Sequence, residues 1–112
     1  MNELSIIPFV EENGTEPFTD WILDLDSISR KRILTRLTRI QTGNFGDCKR
    51  IDDAIYELRF FFGNGYRVYF GKDDENIVLL LCGGIKDTQN KDITNAKRYW
   101  RQYNEQKNKK NK

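Results

Sequence analysis

The feature that most constrains the fold of this chain is a pair of alternating segments joined by Gly63-Asn64-Gly65. Residues 54–62 and 66–71 each alternate between apolar and polar side chains, which is the pattern of a strand with two different faces. A Gly-Asn-Gly connection is typical of a hairpin turn, so these strands are predicted to pair antiparallel. The apolar run 77–82 follows a polar turn and predicts a further, central strand that is covered on both faces.

Helical periodicity on either side of this meander indicates that helices cover the sheet. A first strand is predicted at 4–10, a helix at about 15–25, a second helix at 27–41, and a last helix at 89–103. The apolar face of the first helix consists of Phe18, Trp21, Ile22 and Leu25. Because a helix with one apolar face must pack on another element, the order predicts an α+β fold. Its antiparallel sheet carries an N-terminal helical hairpin and a C-terminal helix.

The length of the chain permits a single domain, which is predicted to cover residues 1–105. Residues 106–112 are rich in asparagine and lysine, so they are predicted to form a basic, disordered tail. The longest apolar run is far shorter than the roughly 20 residues of a membrane span, so no membrane partner is expected.

The absence of histidine excludes several kinds of active site. Ser-His-Asp and Cys-His catalysis both need an imidazole, so neither is available to this chain. A zinc site would have to combine the two distant cysteines, Cys48 and Cys82, with carboxylates, so neither metal nor cofactor is expected. So few cysteines also favour a cytoplasmic location.

Charge is segregated along the chain although the formal net charge is only +2. Residues 10–26 carry acidic side chains and no Lys or Arg, whereas residues 27–41 carry basic side chains and no acid. Three arginines of the second helix, Arg32, Arg36 and Arg39, form a basic stripe. A basic face is a common footprint of a nucleic-acid partner, and a merely solvated helix face is the alternative.

The face of the hairpin opposite Tyr56, Leu58 and Phe60 carries the candidate site. If helices cover the apolar face, the other face shows Glu57, Arg59, Arg67 and Tyr69 as a polar groove. Two arginines on paired strands repel each other unless an anion lies between them, and phosphate suits their bidentate geometry. The alternative is that Glu57 pairs with one arginine and the cluster is solvated.

Two further side chains extend this candidate site. Lys86 follows the central strand, where a lysine can neutralise a phosphate or donate a proton. Tyr69 is a candidate for stacking on an unpaired base or, like Glu57, for accepting a proton. A carboxylate beside two arginines is expected to be a poor base.

Two segments give the chain a resemblance to the RelE/ParE toxin superfamily. The first is the pair Ile55-Tyr56-Glu57-Leu58-Arg59 and Gly65-Tyr66-Arg67-Val68-Tyr69-Phe70-Gly71, and the second is Leu80-Leu81-Cys82-Gly83-Gly84-Ile85-Lys86 with the start of the last helix. The chain looks most similar to the addiction module killer protein group, which is related to HigB-type toxins and to phage-derived relatives. It departs from the common second motif at Ile85, where that motif has aspartate.

The resemblance implies a RelE-like fold and the toxin of a type II toxin–antitoxin pair. It implies a metal-independent endoribonuclease that cuts mRNA on the ribosome, with Arg59, Arg67 and Lys86 acting on the scissile phosphate. Arg32, Arg36, Arg39 and Lys91 are then expected to be RNA-binding. A helix-turn-helix antitoxin is the implied partner, and operator DNA is reached only through it. The alternatives are a ParE-like inhibitor of DNA gyrase and a non-catalytic, phage-derived binding module.

Overall fold

The computed structural model describes residues 3–110 and contains one five-stranded sheet with helices on both faces. The strands are β1 (Ser5–Pro8), β2 (Cys48–Arg50), β3 (Ile55–Arg59), β4 (Arg67–Asp73) and β5 (Ile77–Gly84). The helices are α1 (Pro17–Leu23), α2 (Ser27–Ile40) and α3 (Gln89–Lys110), and a 3₁₀ turn at Lys86–Thr88 precedes α3. The strand order across the sheet is β1-β5-β4-β3-β2.

The predicted α+β class and the antiparallel meander β3-β4-β5 are confirmed. Two features of the sheet differ from the prediction. β1 pairs with β5 in parallel, so the sheet is mixed, and β2 forms an extra edge strand that was not among the predicted strands. β2 has only three residues, too few to show an alternating pattern. The architecture is compatible with a RelE-like fold.

One face of the sheet packs against α1 and α2, as the sequence predicted. The core on this side includes Ile22 from α1 and Leu37 from α2, packed against Leu58 and Val68 of the meander. Trp21 lies flat on the strand at Gly83, where an added Cβ would come within 2.2 Å of the indole ring. Gly83 in the Gly-Gly-x-Lys segment is therefore required for close packing of α1 on the sheet.

The opposite face of the sheet is covered by α3. Ala96 of α3 is fully buried there against Leu79 and Leu81, while Val78 and Leu80 of the same strand face the first core. The expectation that 77–82 is a strand covered on both faces is thus confirmed. Because α3 occupies much of this second face, the predicted open polar groove is restricted to the end of the sheet nearest the β3–β4 turn.

The last helix is longer than the sequence predicted. It continues through residues 106–110, which were predicted to belong to a disordered tail, while residues 111 and 112 lie outside the described part of the chain. Lys107 is held there by Asp73 at the end of β4, with Nζ 2.8 Å from Oδ1. The composition of the segment 106–110 gives no sign of this pairing, because Asp73 lies far away along the chain. Across residues 3–110, no helix is both long and apolar enough to traverse a bilayer.

Candidate functional site

The β3–β4 hairpin places Arg59 and Arg67 directly opposite each other. They are paired residues in the antiparallel register, so their Cβ atoms lie about 4.5–5.5 Å apart. Gly65 adopts a positive φ of 72° in the connecting turn, and its backbone runs beside Lys86. The turn therefore brings Lys86, which lies two residues after the end of β5, next to the two arginines.

These three basic side chains meet in one open cleft of about 430 Å³. The cleft is lined by Arg59, Arg67 and Lys86 together with the hairpin residues Phe60, Phe61, Phe62, Gly63 and Gly65. Among the described residues that line it there is no carboxylate, so the cleft favours an anionic ligand. The structure thus brings together the three residues that were predicted to act on a phosphate.

Arg67 lies next to a buried polar cluster that consists of Glu57, Tyr69 and Gln89. Its Nε lies 3.8 Å from Oε2 of Glu57, whose side chain is 1% exposed. The same carboxylate oxygen accepts hydrogen bonds of 2.9 Å from the Tyr69 hydroxyl and from Nε2 of Gln89. The side chain of Arg67 itself is only 12% exposed. At 3.8 Å the two groups form an ion pair without a hydrogen bond, so the charge of Arg67 lies beside a buried carboxylate.

The burial of Glu57 and Tyr69 contradicts the roles predicted for them in proton transfer and base stacking. Tyr69 is 0% exposed and lies under α3, where desolvation and the hydrogen bond to Glu57 raise the pKa of its hydroxyl far above the ordinary value. Neither side chain is accessible to a ligand in this arrangement. Glu57 instead pairs with Arg67, and Tyr69 donates a hydrogen bond to Glu57. The sequence could not show this, because the length and docking of α3 decide which end of the face stays open.

Arg59 has a different carboxylate partner, Asp47, in the segment before β2. Nη2 of Arg59 lies 3.1 Å from Oδ1 of Asp47, and this hydrogen bond raises the pKa of the arginine. The Arg59 side chain is 40% exposed, so this pair is open to water and to ligands. Glu57 therefore pairs with Arg67, as in the alternative that the sequence left open. The sequence did not indicate Asp47 as the partner of Arg59, because the two residues are distant along the chain.

Arg36, which was predicted to bind RNA, is half-buried and makes its hydrogen bonds within the protein. Its guanidinium donates to backbone carbonyl oxygens of Arg59, of Asp47 at 2.7 Å and of Phe45 at 3.2 Å. It also lies over the Phe60 ring, with its central carbon 4.5 Å from the ring centroid. Arg36 therefore ties α2 to the edge of the sheet. Periodicity alone cannot separate such an arginine from its exposed neighbours on the same stripe.

Arg32, Arg39 and Lys91 are exposed and extend the cleft on both sides. Arg32 and Arg39 line a neighbouring cleft that shares Arg59 with the central one. Lys91 lines another that shares Lys86. We call the surface formed by these clefts the basic band, and its cationic residues are Arg39, Arg32, Arg59, Arg67, Lys86 and Lys91. The basic band lies along the end of the sheet at the β3–β4 turn.

A second concavity elsewhere on the molecule has the opposite character. It measures about 370 Å³ and is lined by Glu11, Glu12, Asn13, Gln102 and Glu105. Carboxylates there disfavour a phosphate ligand. Glu11 and Glu12 belong to the acidic segment 10–26.

Comparison with known proteins identifies the family of the chain. Residues 20–101 match the family described as phage derived protein Gp49-like (DUF891). A similar protein of Haemophilus influenzae (strain ATCC 51907 / DSM 11121 / KW20 / Rd), described only as an uncharacterized protein, is 48% identical over 89 residues. That alignment covers 79% of this chain and 90% of the relative. The matched region contains the hairpin, Lys86 and most of α3. The chain therefore belongs to the phage-derived Gp49-like family.

Proposed function

We propose that this protein is the toxin of a type II toxin–antitoxin pair and that it cuts mRNA as a metal-independent endoribonuclease. The observation that carries the proposal is the convergence of Arg59, Arg67 and Lys86 in one cleft of the hairpin end. Membership of the Gp49-like family supports the proposal, and so does the resemblance to RelE and HigB toxins in the segments that form this cleft.

In the proposed reaction, the 2′-hydroxyl oxygen of a ribose attacks the adjacent phosphorus and gives its proton to water. The bond to the 5′ oxygen breaks, so the products are a 2′,3′-cyclic phosphate and a 5′-hydroxyl. Negative charge grows on the phosphoryl oxygens, where Arg59 and Arg67 lie as cationic donors. The loss of one such well-placed donor commonly slows a reaction about 10²–10³-fold. Lys86 is exposed at the edge of the cleft, where its ammonium group can protonate the leaving oxygen.

The sparse set of groups in the cleft suggests that the target is ribosome-bound mRNA. Glu57 and Tyr69 are buried, so they do not serve as an accessible general base. A ribosome that orients the RNA can supply much of the rate enhancement by positioning the attacking hydroxyl. In this proposal the protein acts in the cytoplasm.

We propose that the cognate antitoxin, expected to be a helix-turn-helix protein, covers the basic band. Opposite charge on the antitoxin would speed the association and block RNA at the same time. Operator DNA would then be contacted through the antitoxin alone.

The test is translation in a purified ribosome system with the protein added, followed by primer extension on the mRNA. The informative variant is Lys86→Gln, and Lys97→Gln is its matched control, because both lysines are exposed and Lys97 lies on α3 beyond the basic band. Discrete cuts that need ribosomes, survive in Lys97→Gln and fade in Lys86→Gln are expected.

Two outcomes would argue against this proposal. Intact mRNA with a folded, growth-arresting protein would favour a ParE-like inhibitor of gyrase, and a DNA supercoiling assay would then decide. Intact mRNA with no growth arrest would favour a non-catalytic binding module.

A further inference from the structure

Phe61 is the most exposed large hydrophobic side chain among the described residues, with 82% of its surface accessible. Single exposed hydrophobic residues are ordinary on protein surfaces, so exposure alone carries no conclusion. The position of Phe61 is what makes it informative. It lines both the central cleft and the neighbouring cleft that contains Arg32 and Arg39. An aromatic ring therefore stands in the middle of the basic band.

The backbone on either side of Phe61 is anchored. The Phe60 amide donates to the carbonyl oxygen of Tyr66 at 3.0 Å, and the Gly65 amide donates to that of Phe62 at 3.2 Å. The Phe62 ring packs 5.3 Å from the Tyr66 ring, between centroids. The turn thus holds Phe61 in a defined place while its ring projects into solvent. The backbone at Phe61 therefore needs little further ordering when a flat partner stacks on the ring.

The surroundings of the ring are cationic. The guanidinium of Arg59 lies 5.8 Å from the Phe61 centroid, and that of Arg32 lies 4.0 Å from the Phe62 centroid. Aromatic rings interleaved with cations are the usual platform for single-stranded nucleic acid, because the cations follow the phosphates and the rings stack on bases. An apolar protein partner would not need this charge.

We propose that Phe61 stacks on an unpaired base of the RNA, next to the nucleotide whose phosphate lies between Arg59 and Arg67. The proposal rests on the proposed function, since it names how the same site holds its RNA. Phe61 would fix the nucleotide chain on one side of the reacting phosphate, so that the attacking hydroxyl is presented in line. This role is one of positioning and not of proton transfer.

The test measures binding by fluorescence anisotropy with a short, labelled, single-stranded RNA in which every ribose is 2′-O-methylated, so that it cannot be cut. A second probe has the same backbone and abasic sugars throughout. The variants are Phe61→Leu, which keeps an apolar side chain without a ring, and Phe61→Tyr, which keeps the ring. Ile28→Ala is the control, because Ile28 is 72% exposed at the start of α2, outside the basic band.

Phe61→Leu is expected to weaken binding of the base-containing RNA by about 5- to 150-fold, the range of a lost stacking contact. Phe61→Tyr and Ile28→Ala should bind as the wild type does. On the abasic probe, Phe61→Leu and wild type should bind alike. Phe61→Leu should also keep the salt dependence of binding, whereas Arg59→Gln should reduce its slope because one phosphate contact is lost.

Two results would overturn the stacking proposal while leaving the proposed function standing. One is wild-type affinity of Phe61→Leu for the base-containing RNA, and that result would leave Phe61 as a contact for a protein partner. The other is an equal loss on both probes, since that loss would not involve bases. A wild-type protein that binds neither probe would refute the stacking proposal even if it cuts mRNA on ribosomes, and one that also cuts no mRNA would refute both proposals.

Discussion

Removal of Arg67 should lower both stability and activity, and a double-mutant cycle with Glu57 separates the two effects. At 3.8 Å and an effective dielectric constant of about 20, the two charges attract by about 4 kcal/mol. The desolvation of Glu57 offsets part of this attraction, so the net contribution of the pair is smaller. Arg67→Ala, however, leaves a carboxylate that is 1% exposed without its cation, which typically costs about 3–5 kcal/mol.

Glu57→Gln is the second member of the cycle. The side-chain amide still accepts a hydrogen bond from Tyr69 or Gln89. The change leaves Arg67, which is 12% exposed, without its carboxylate, so it alone should also cost about 3–5 kcal/mol. In the Glu57→Gln background no buried charge is left behind, so Arg67→Ala should cost at least about 2 kcal/mol less than it does in the wild type. Urea unfolding at one fixed pH measures all four proteins, with Lys97→Ala as an exposed control on α3 that changes stability by less than about 0.5 kcal/mol.

Cleavage of mRNA by the same four proteins measures the effect of Arg67 on activity. Both proteins that lack Arg67 should cut mRNA about 10²–10³-fold more slowly, whatever their stability. Equal destabilisation by Arg67→Ala in both backgrounds would refute the view that Glu57 is held by Arg67. If the double variant regained both its stability and its rate of cleavage, Arg67 would only support the fold.

Two changes away from the site test the packing that positions it. Gly83→Ala should cost at least about 2 kcal/mol in urea unfolding, since the new Cβ would lie 2.2 Å from the Trp21 ring; a neutral effect would contradict the close packing of α1. Asp73→Asn should cost about 1 kcal/mol near neutral pH. Burial raises the pKa of Asp73, but hydrogen bonds from Lys107 and Tyr103 outweigh burial and hold that pKa below its ordinary value. The stabilisation is therefore present above about pH 4 and is lost as the pH falls through the folded-state pKa, so wild type and variant should converge in acid. A difference that persists at low pH would contradict the linkage.

The sequence predicted the parts of the fold that are written in local periodicity. The alternation around Gly63-Asn64-Gly65 predicted the hairpin, and the run 77–82 predicted the central strand. β2 and the parallel pairing of β1 were missed, because each depends on a distant partner strand. The helical residues 106–110 were missed for the same reason, since Asp73 holds Lys107 from another element.

The candidate site shows the same division between local and long-range information. The pairing of Arg59 with Arg67 follows from strand register, so the sequence could predict it. The burial of Glu57 depends on how far α3 extends across the second face of the sheet. The salt bridge from Asp47 depends on the path of the chain before β2. Phe61 carried a local signal, an aromatic residue beside a hairpin turn, but its exposure depends on which face the helices leave open.

The two arginines of the cleft are held in different ways, and the difference suits a phosphate site. Arg67 is paired with a buried carboxylate, so its charge lies beside that carboxylate before any ligand arrives. Arg59 is paired with Asp47 at a half-exposed position, where water screens the attraction and an exposed ion pair contributes little. Under the proposed function, a phosphate would therefore displace Asp47 from Arg59 while Arg67 stays in place. Like charges opposite each other on paired strands are unfavourable, and each carboxylate offsets that repulsion in the free protein. In the proposed function, the phosphate of the RNA would take over from Asp47 the role of neutralising Arg59.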